Sequence, residues 1–302
     1  MIISLRARED YWTAAQRAQY ANRMEALLED SAAMTESALQ RITTLLEQMQ
    51  RDLIAKIPAA TAKAAGGGSS FDLARINALL RDIDDLTAEV RLRMIAATGE
   101  GLRGQMDLGT QMVDDAVRVL GGSELLPTVG VSIHTLAITQ AFSADLITNI
   151  TGTLRRRINA EIQQGLVGAK TPYDVMQAIG DALPDSSVFS TVEFRAETIV
   201  RTEMGRAFGM ATQARQQEAS LAVPEMKKQW RWSHKGRVNH AAIDGQIRDV
   251  HLPFDVPGAR HIPAARLMFP GDPAGPPGQT INCGCQSLPY VPGLSRDLQA
   301  AA

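Results

Sequence analysis

Proline placement constrains this chain more than any other feature. Ten of its fourteen prolines lie at or after Pro224, in the last quarter of 302 residues. A proline inside a helix removes a backbone donor and crowds the preceding turn. Long helices are therefore expected before Pro224 and irregular structure after it. Other residues divide at the same place. Four of the five histidines fall between His234 and His261, and both cysteines lie at 283 and 285. From Pro224 onward nine Lys and Arg face six Asp and Glu, which leaves the preceding part acidic within a total charge of −2. The shift reads as a boundary between two kinds of structure.

Before that boundary, apolar residues recur at three- and four-residue steps, the period of a helix face. Met24, Leu28, Leu39, Ile42, Leu46, Met49, Leu53 and Ile57 form the first stripe, which Pro58 and the run from Ala64 to Ser70 break. Ser70 is a candidate N-cap for a second helix with Leu73, Ile76, Leu80, Ile83, Val90 and Met94 on one face. Gly99 and Gly101 are expected to end it, and a third helix, 102–120, to stop at Gly121-Gly122. From about Ser132 to Leu166 the stripe is Leu136, Phe142, Leu146, Ile150, Leu154, Ile158 and Ile162. Thr171-Pro172-Tyr173-Asp174 and Ser190-Thr191-Val192-Glu193 have capping-box logic, and the latter opens a helix to about Ala219. Arg155-Arg156-Arg157, and likewise Arg201, Glu203 and Arg206, read as solvated helix faces with local partners, against a phosphate-binding alternative for the arginine triplet.

Composition excludes several classes. With 45 % apolar and 21 % charged residues the chain is globular. Two cysteines cannot build a secreted disulfide framework. The first residues lack the apolar core of a signal peptide, and Val129–Ile150, the nearest approach to a membrane span, is interrupted by His134 and Asp145. A soluble intracellular protein is expected.

After Pro224, Lys227–Ser233 alternates as a strand, Ala241–Ile243 suits one helical turn closed by Asp244-Gly245, and Gln246–Val250 can pair back. Residues 251–279, rich in proline, read as a long loop or an extended arm, and Thr280–Leu288 as a closing strand. Cys283-Gly284-Cys285 can offer two thiolates to one zinc ion, with His240 the best third ligand and His234, Asp244 or His251 a fourth. Two buried free thiols, or a strained disulfide, are the competing readings. His240 and Asp244 lie one helical turn apart, so an Asp-oriented general base is geometrically open. No nucleophile elbow, phosphate loop or metalloprotease motif accompanies them, and no catalytic residue is assigned.

The ordered tracts Trp232-Ser233-x3-Arg237-x2-His240-x2-Ile243-Asp244-Gly245, Phe269-Pro270-Gly271-Asp272-Pro273 and Ile281-Asn282-Cys283-Gly284-Cys285 resemble the C-terminal signature of phage Mu F-like minor head proteins, also called phage head morphogenesis proteins. Arg195–Met204, containing Ala196 and Arg201-Thr202-Glu203, is similar to that family's Ile-Ala-Arg-Thr-Glu helix. The resemblance covers roughly residues 190–290. With the helical spacing before it, an α+β chain is expected: an elongated, mainly helical part over 1–189 (a long-helix bundle or extended helical region), a Mu F-like head morphogenesis domain over 190–290 as the resemblance implies (helix 190–219, β and loop module 224–290), and a tail over 291–302. Some relatives carry Cys-x-x-Cys where this chain has Arg237 and His240, which completes a four-cysteine zinc site. Here the motif leaves His240, Cys283 and Cys285.

The implied function is that of a non-enzymatic minor head protein of a tailed phage or phage-like particle, made in the host cytoplasm and carried in the virion. Its implied partners are the portal protein and the major capsid protein, with contact to packaged DNA and no membrane or small-molecule substrate. Trp230, Trp232 and Phe269 are candidate anchors for such contacts, with core burial the competing use of the tryptophans. A nucleic-acid-binding module and a metal-dependent hydrolase are the alternatives.

Overall fold

A computed structural model describes residues 12–64, 73–121, 133–166, 186–234 and 238–295. Among the described residues four long helices come first: α1 Ala14–Ala64, α2 Leu73–Val119, α3 Ile133–Leu166 and α4 Ser186–Ser220. The remainder alternates short elements: β1 Lys227–Arg231, α5 Val238–Ala241, β2 Ile247–Asp249, β3 Phe254–Val256, β4 Ala265–Leu267, α6 Pro277–Thr280 and β5 Gln286–Tyr290. The class is α+β, as expected. Among the described residues, no helix is long and apolar enough to cross a membrane. Caps expected at Ser70 and Thr171 lie outside the described residues, as do Arg237 and the last residues of the tail.

Several helix limits differ from the sequence reading. α1 opens on a reciprocal capping box: Gln16 N–H donates to Thr13 Oγ1 at 3.2 Å, and Thr13 N–H donates to Gln16 Oε1 at 3.1 Å. It then continues through Pro58 to Ala64, since one proline deletes only one helical hydrogen bond. α2 runs through Gly99 and Gly101. Each interior glycine costs about 1 kcal/mol against alanine, and buried Met94, Thr98, Leu102 and Met106 on either side offset it. The ending at Gly121 is as expected, with φ of +74° there. In α3 the buried face is Leu136, Thr139, Ser143 and Ile147, whereas Phe142 is 50 % exposed. Six residues at 100° each put Phe142 about 240° from Leu136, so the two cannot share a face.

The helices contribute to two compact units. One comprises residues 38–99 and 141–199. Its core takes Ile42, Leu46, Met49 and Leu53 from α1, Ile83, Val90 and Met94 from α2, Ile147 from α3 and Val192 and Ile199 from α4.

The other comprises residues 1–37, 100–140 and 200–302. Here the C-terminal module does not stand alone. Tyr20, Met24 and Leu27 of α1 and Met112, Val113 and Val117 of α2 share one cluster with Phe208, Val250, Leu288 and Leu294. The expected boundary at residue 190 falls inside α4. Polar contacts fasten the same pieces. Tyr20 donates its hydroxyl to the Pro289 carbonyl. Gln105 joins α2 to α1 through Ser31 and Thr35, and Arg215 of α4 reaches Asp114 at 2.6 Å. The sheet is antiparallel in the order β2-β1-β5. β3 and β4 form a second antiparallel pair. Residues 251–279, expected as a long loop or an extended arm, instead contain the β3–β4 pair and the start of α6, with Phe254, Val256, Leu267 and Phe269 buried, because their apolar side chains fold back into the core.

Candidate metal centre

β1 pairs with β5 so that Arg231 faces Gln286. The chain leaving β1 and the chain entering β5 therefore lie side by side, which brings Ser233 next to Cys283 and Cys285. The excursion between β1 and β2 returns to its own start. Gly245 N–H donates to the Trp230 carbonyl at 2.9 Å, and Trp232 N–H donates to Asp244 Oδ1 at 2.8 Å. Within that excursion α5 carries His240. Its Nδ1 lies 3.3 Å from Cys283 Sγ and 3.6 Å from Cys285 Sγ. The cysteines precede β5 instead of lying in a strand that begins at Thr280. Gly284 between them has φ of +70°, a left-handed conformation that glycine adopts without steric cost. It turns both sulfurs towards one histidine. The three side chains are 0, 6 and 3 % exposed.

Hydrogen bonds decide which face of the imidazole meets the sulfurs. Gln279 Nε2 donates to the Pro257 and Pro263 carbonyls, at 3.1 and 2.8 Å. Carbonyls only accept, so the amide orientation is settled and Gln279 Oε1 must face the other way. That oxygen accepts from Asn239 Nδ2 at 2.8 Å and contacts His240 Nε2 at 2.8 Å. His240 Nε2 is therefore the protonated nitrogen, and the Nδ1 lone pair points at the thiols. An orienting partner on the distal nitrogen is the usual support of a metal-ligating histidine. Trp230 packs edge-on against both His240 and Phe254, with ring centroids 5.4 and 5.3 Å away. The Cys285 thiol is pulled down to about 5, first by its hydrogen bond with Cys283 and then by His240 and Ser233, against the opposing effect of burial. A soft, buried N,S,S donor set prone to thiolate formation is what these residues provide.

The expected fourth ligands are engaged elsewhere or distant. His234 packs on Trp232 with centroids 4.6 Å apart. Asp244 accepts from Trp232 N–H, and His251 lies exposed after β2, its backbone N–H on Asp249. Among the described His, Cys, Asp and Glu residues, only His240, Cys283 and Cys285 converge. The Asp-oriented base is not formed either, since Gln279 orients His240 in place of Asp244. Cys283 and Cys285 are not joined in a disulfide.

Trp230, 1 % exposed, and Phe269 are core side chains that present no surface to a partner. Both rings are spent on internal packing, Phe269 lying against Gly209, where an added Cβ would meet its ring at 2.9 Å. Trp232 is half-buried and lines a groove of about 310 Å³ with Ser233, His234, Asn282, Gly284 and Gln286. Arg201 and Arg231 close on Glu36 and Glu25 of α1 along the same groove.

The Arg201–Arg206 stretch is not a solvated face. Thr202 Oγ1 accepts from Asn282 N–H at 2.9 Å, Arg206 Nε donates to the Gly271 carbonyl at 3.1 Å, and buried Glu203 pairs with Arg206 at 2.7 Å. Burial raises the Glu203 pKa, and Arg206 opposes the shift. This part of α4 grips both the Phe269–Asp272 turn and the loop leading to the cysteines. Arg156 of the arginine triplet is exposed, and the side chains of Arg155 and Arg157 lie outside the described residues. Sequence reasoning missed Gln279, because a lone glutamine among prolines carries no signal until its partners are known.

No protein-family model, curated protein or solved structure matches this chain.

Proposed function

We propose that this chain is a structural minor head protein of a tailed phage or phage-like particle, bound to portal and capsid protein at the head interior. It assists head assembly or genome delivery and catalyses no reaction. One observation supports this reading above others. The separated tracts that carry the Mu F-like resemblance meet as one unit on α4: His240 and Cys283-Cys285 as a donor cluster, Asp244 locking Trp232, and the Phe269–Asp272 turn held by Arg206 and Gly209. A signature that specifies mutual packing is what a folded assembly module requires.

His240, Cys283 and Cys285 would hold zinc, which cross-links α5 to the chain entering β5. Zinc bonds of about 2.3 Å to sulfur and about 2.05 Å to nitrogen set a tetrahedral N-to-S edge of about 3.5 Å. The two edges here are 3.3 and 3.6 Å.

Mass spectrometry of purified particles and procapsids, with affinity capture of the portal ring, tests the assembly role. The chain should be present in a few copies and co-purify with the ring. Its absence from particles, procapsids and the captured ring would overturn the proposal. Zinc is tested separately: protein purified without chelator should carry about one ion per chain, and fewer than about 0.2 would remove the metal.

A further inference from the structure

Tetrahedral zinc takes four ligands, and the described His, Cys, Asp and Glu side chains supply three. The polar group beside the sulfurs is Ser233. It lies two residues beyond β1, with its hydroxyl 3.9 Å from Cys285 Sγ and 3.3 Å from the Cys283 carbonyl oxygen. The carbonyl can only accept, so the hydroxyl proton points there and the oxygen lone pairs are left for the thiol side. An oxygen about 2.1 Å from zinc lies about 3.6 Å from a thiolate on the same ion. The observed 3.9 Å is within a small side-chain rotation of that edge. Ser233 and Gly284 also line the 310 Å³ groove, whereas His240 and the two cysteines do not. The hydroxyl therefore stands between the donor cluster and the outside.

We propose that Ser233 marks the fourth coordination vertex of the His240–Cys283–Cys285 centre, as a weak oxygen ligand that exchanges with water from the groove. This rests on the metal reading above. A neutral hydroxyl is a poor donor beside two thiolates, so this vertex is the labile one. It is also the one at which substitution should strengthen the site. The motif position at Arg237 is not needed for a fourth ligand.

Cobalt(II) in place of zinc, in the full chain, reports ligand number and thiolate count by absorption. Ser233→Cys adds a third thiolate, so the thiolate-to-cobalt charge-transfer band should grow by about half, and zinc affinity should rise on the order of tenfold. Ser233→Ala passes the vertex to water. Its cobalt bands should shift while keeping four-coordinate intensity, and zinc affinity should fall a few-fold. Both variants are compared with the wild type by thermal melting, so that a fold defect is seen directly. An unchanged charge-transfer band in Ser233→Cys, together with unchanged spectrum and affinity in Ser233→Ala, would overturn the assignment and leave a three-ligand metal site standing. If the wild type binds neither cobalt nor zinc while both thiols titrate as reduced, the metal reading falls, and this inference with it.

Discussion

Gln279 holds the donor cluster in register without touching either sulfur. Its amide is read from both ends, by two proline carbonyls at Nε2 and by Asn239 and His240 at Oε1. Replacing it with leucine would take the amide partner from the Pro263 carbonyl and the His240 N–H, while the Pro257 carbonyl keeps its bond from Asn239, and would free the imidazole to rotate. Gln279→Leu should weaken zinc binding by about 10- to 100-fold, as loss of an orienting partner does. It should also cost about 1–3 kcal/mol in the absence of metal. Competition with a chromogenic chelator and urea denaturation measure the two effects. Unchanged zinc affinity in a folded variant would mean that His240 is oriented by packing against Trp230 instead.

Among the elements, α2 shows how small residues act when neither cap nor turn is involved. An added Cβ at Gly109 would lie 2.5 Å from the Phe208 carbonyl oxygen of α4 and 3.0 Å from Thr212 Oγ1. The Thr212 hydroxyl is also 3.2 Å from the Gly109 carbonyl oxygen. Alanine normally favours a helix over glycine by about 1 kcal/mol. Here the obstacle is backbone, which cannot rotate away, so the helices must part. Gly109→Ala is expected to destabilise by about 1–3 kcal/mol, seen as a lower denaturation midpoint, and a stabilised variant would contradict the close approach. Gly99 and Gly101 do not end α2 either, flanked as they are by buried Thr98 and Leu102. Glycine spacing in the sequence suggested termination, because nothing in one helix tells which neighbour will approach it.

At the scale of the whole chain, the stretch 190–290 that carries the sequence resemblance and the folding unit do not coincide. Residues 200–302 share a compact unit with residues 1–37 and 100–140, and their core includes Tyr20, Met24, Leu27, Met112 and Val117. A fragment of residues 190–295 would expose Phe208, Val250 and Leu288 where those side chains now cover them. Such a fragment should lack a cooperative thermal transition and bind a hydrophobic dye, while the full chain melts cooperatively. Cooperative melting of the fragment with native-like helix content would show that the N-terminal helices are dispensable for this core.

The sequence by itself determined the class and the chemistry. Proline placement separated long helices from a compact β-containing end, three- and four-residue spacing marked most buried faces of α1 and α2, and Cys283-Gly284-Cys285 with His240 named the donors that converge. These were legible because helix period, turn residues and thiol spacing are local properties. Tertiary structure decided the rest. It took Trp230 and Phe269 into the core, turned Arg201–Arg206 from a supposed surface into a docking seam, and selected Leu136, Thr139, Ser143 and Ile147 over Phe142 on α3. It also set Gln279 behind His240 and Ser233 beside Cys285. Those outcomes depend on which partners arrive from residues far away in the chain, and the desolvation of a polar group or the closeness of two backbones is settled only when both sides are present.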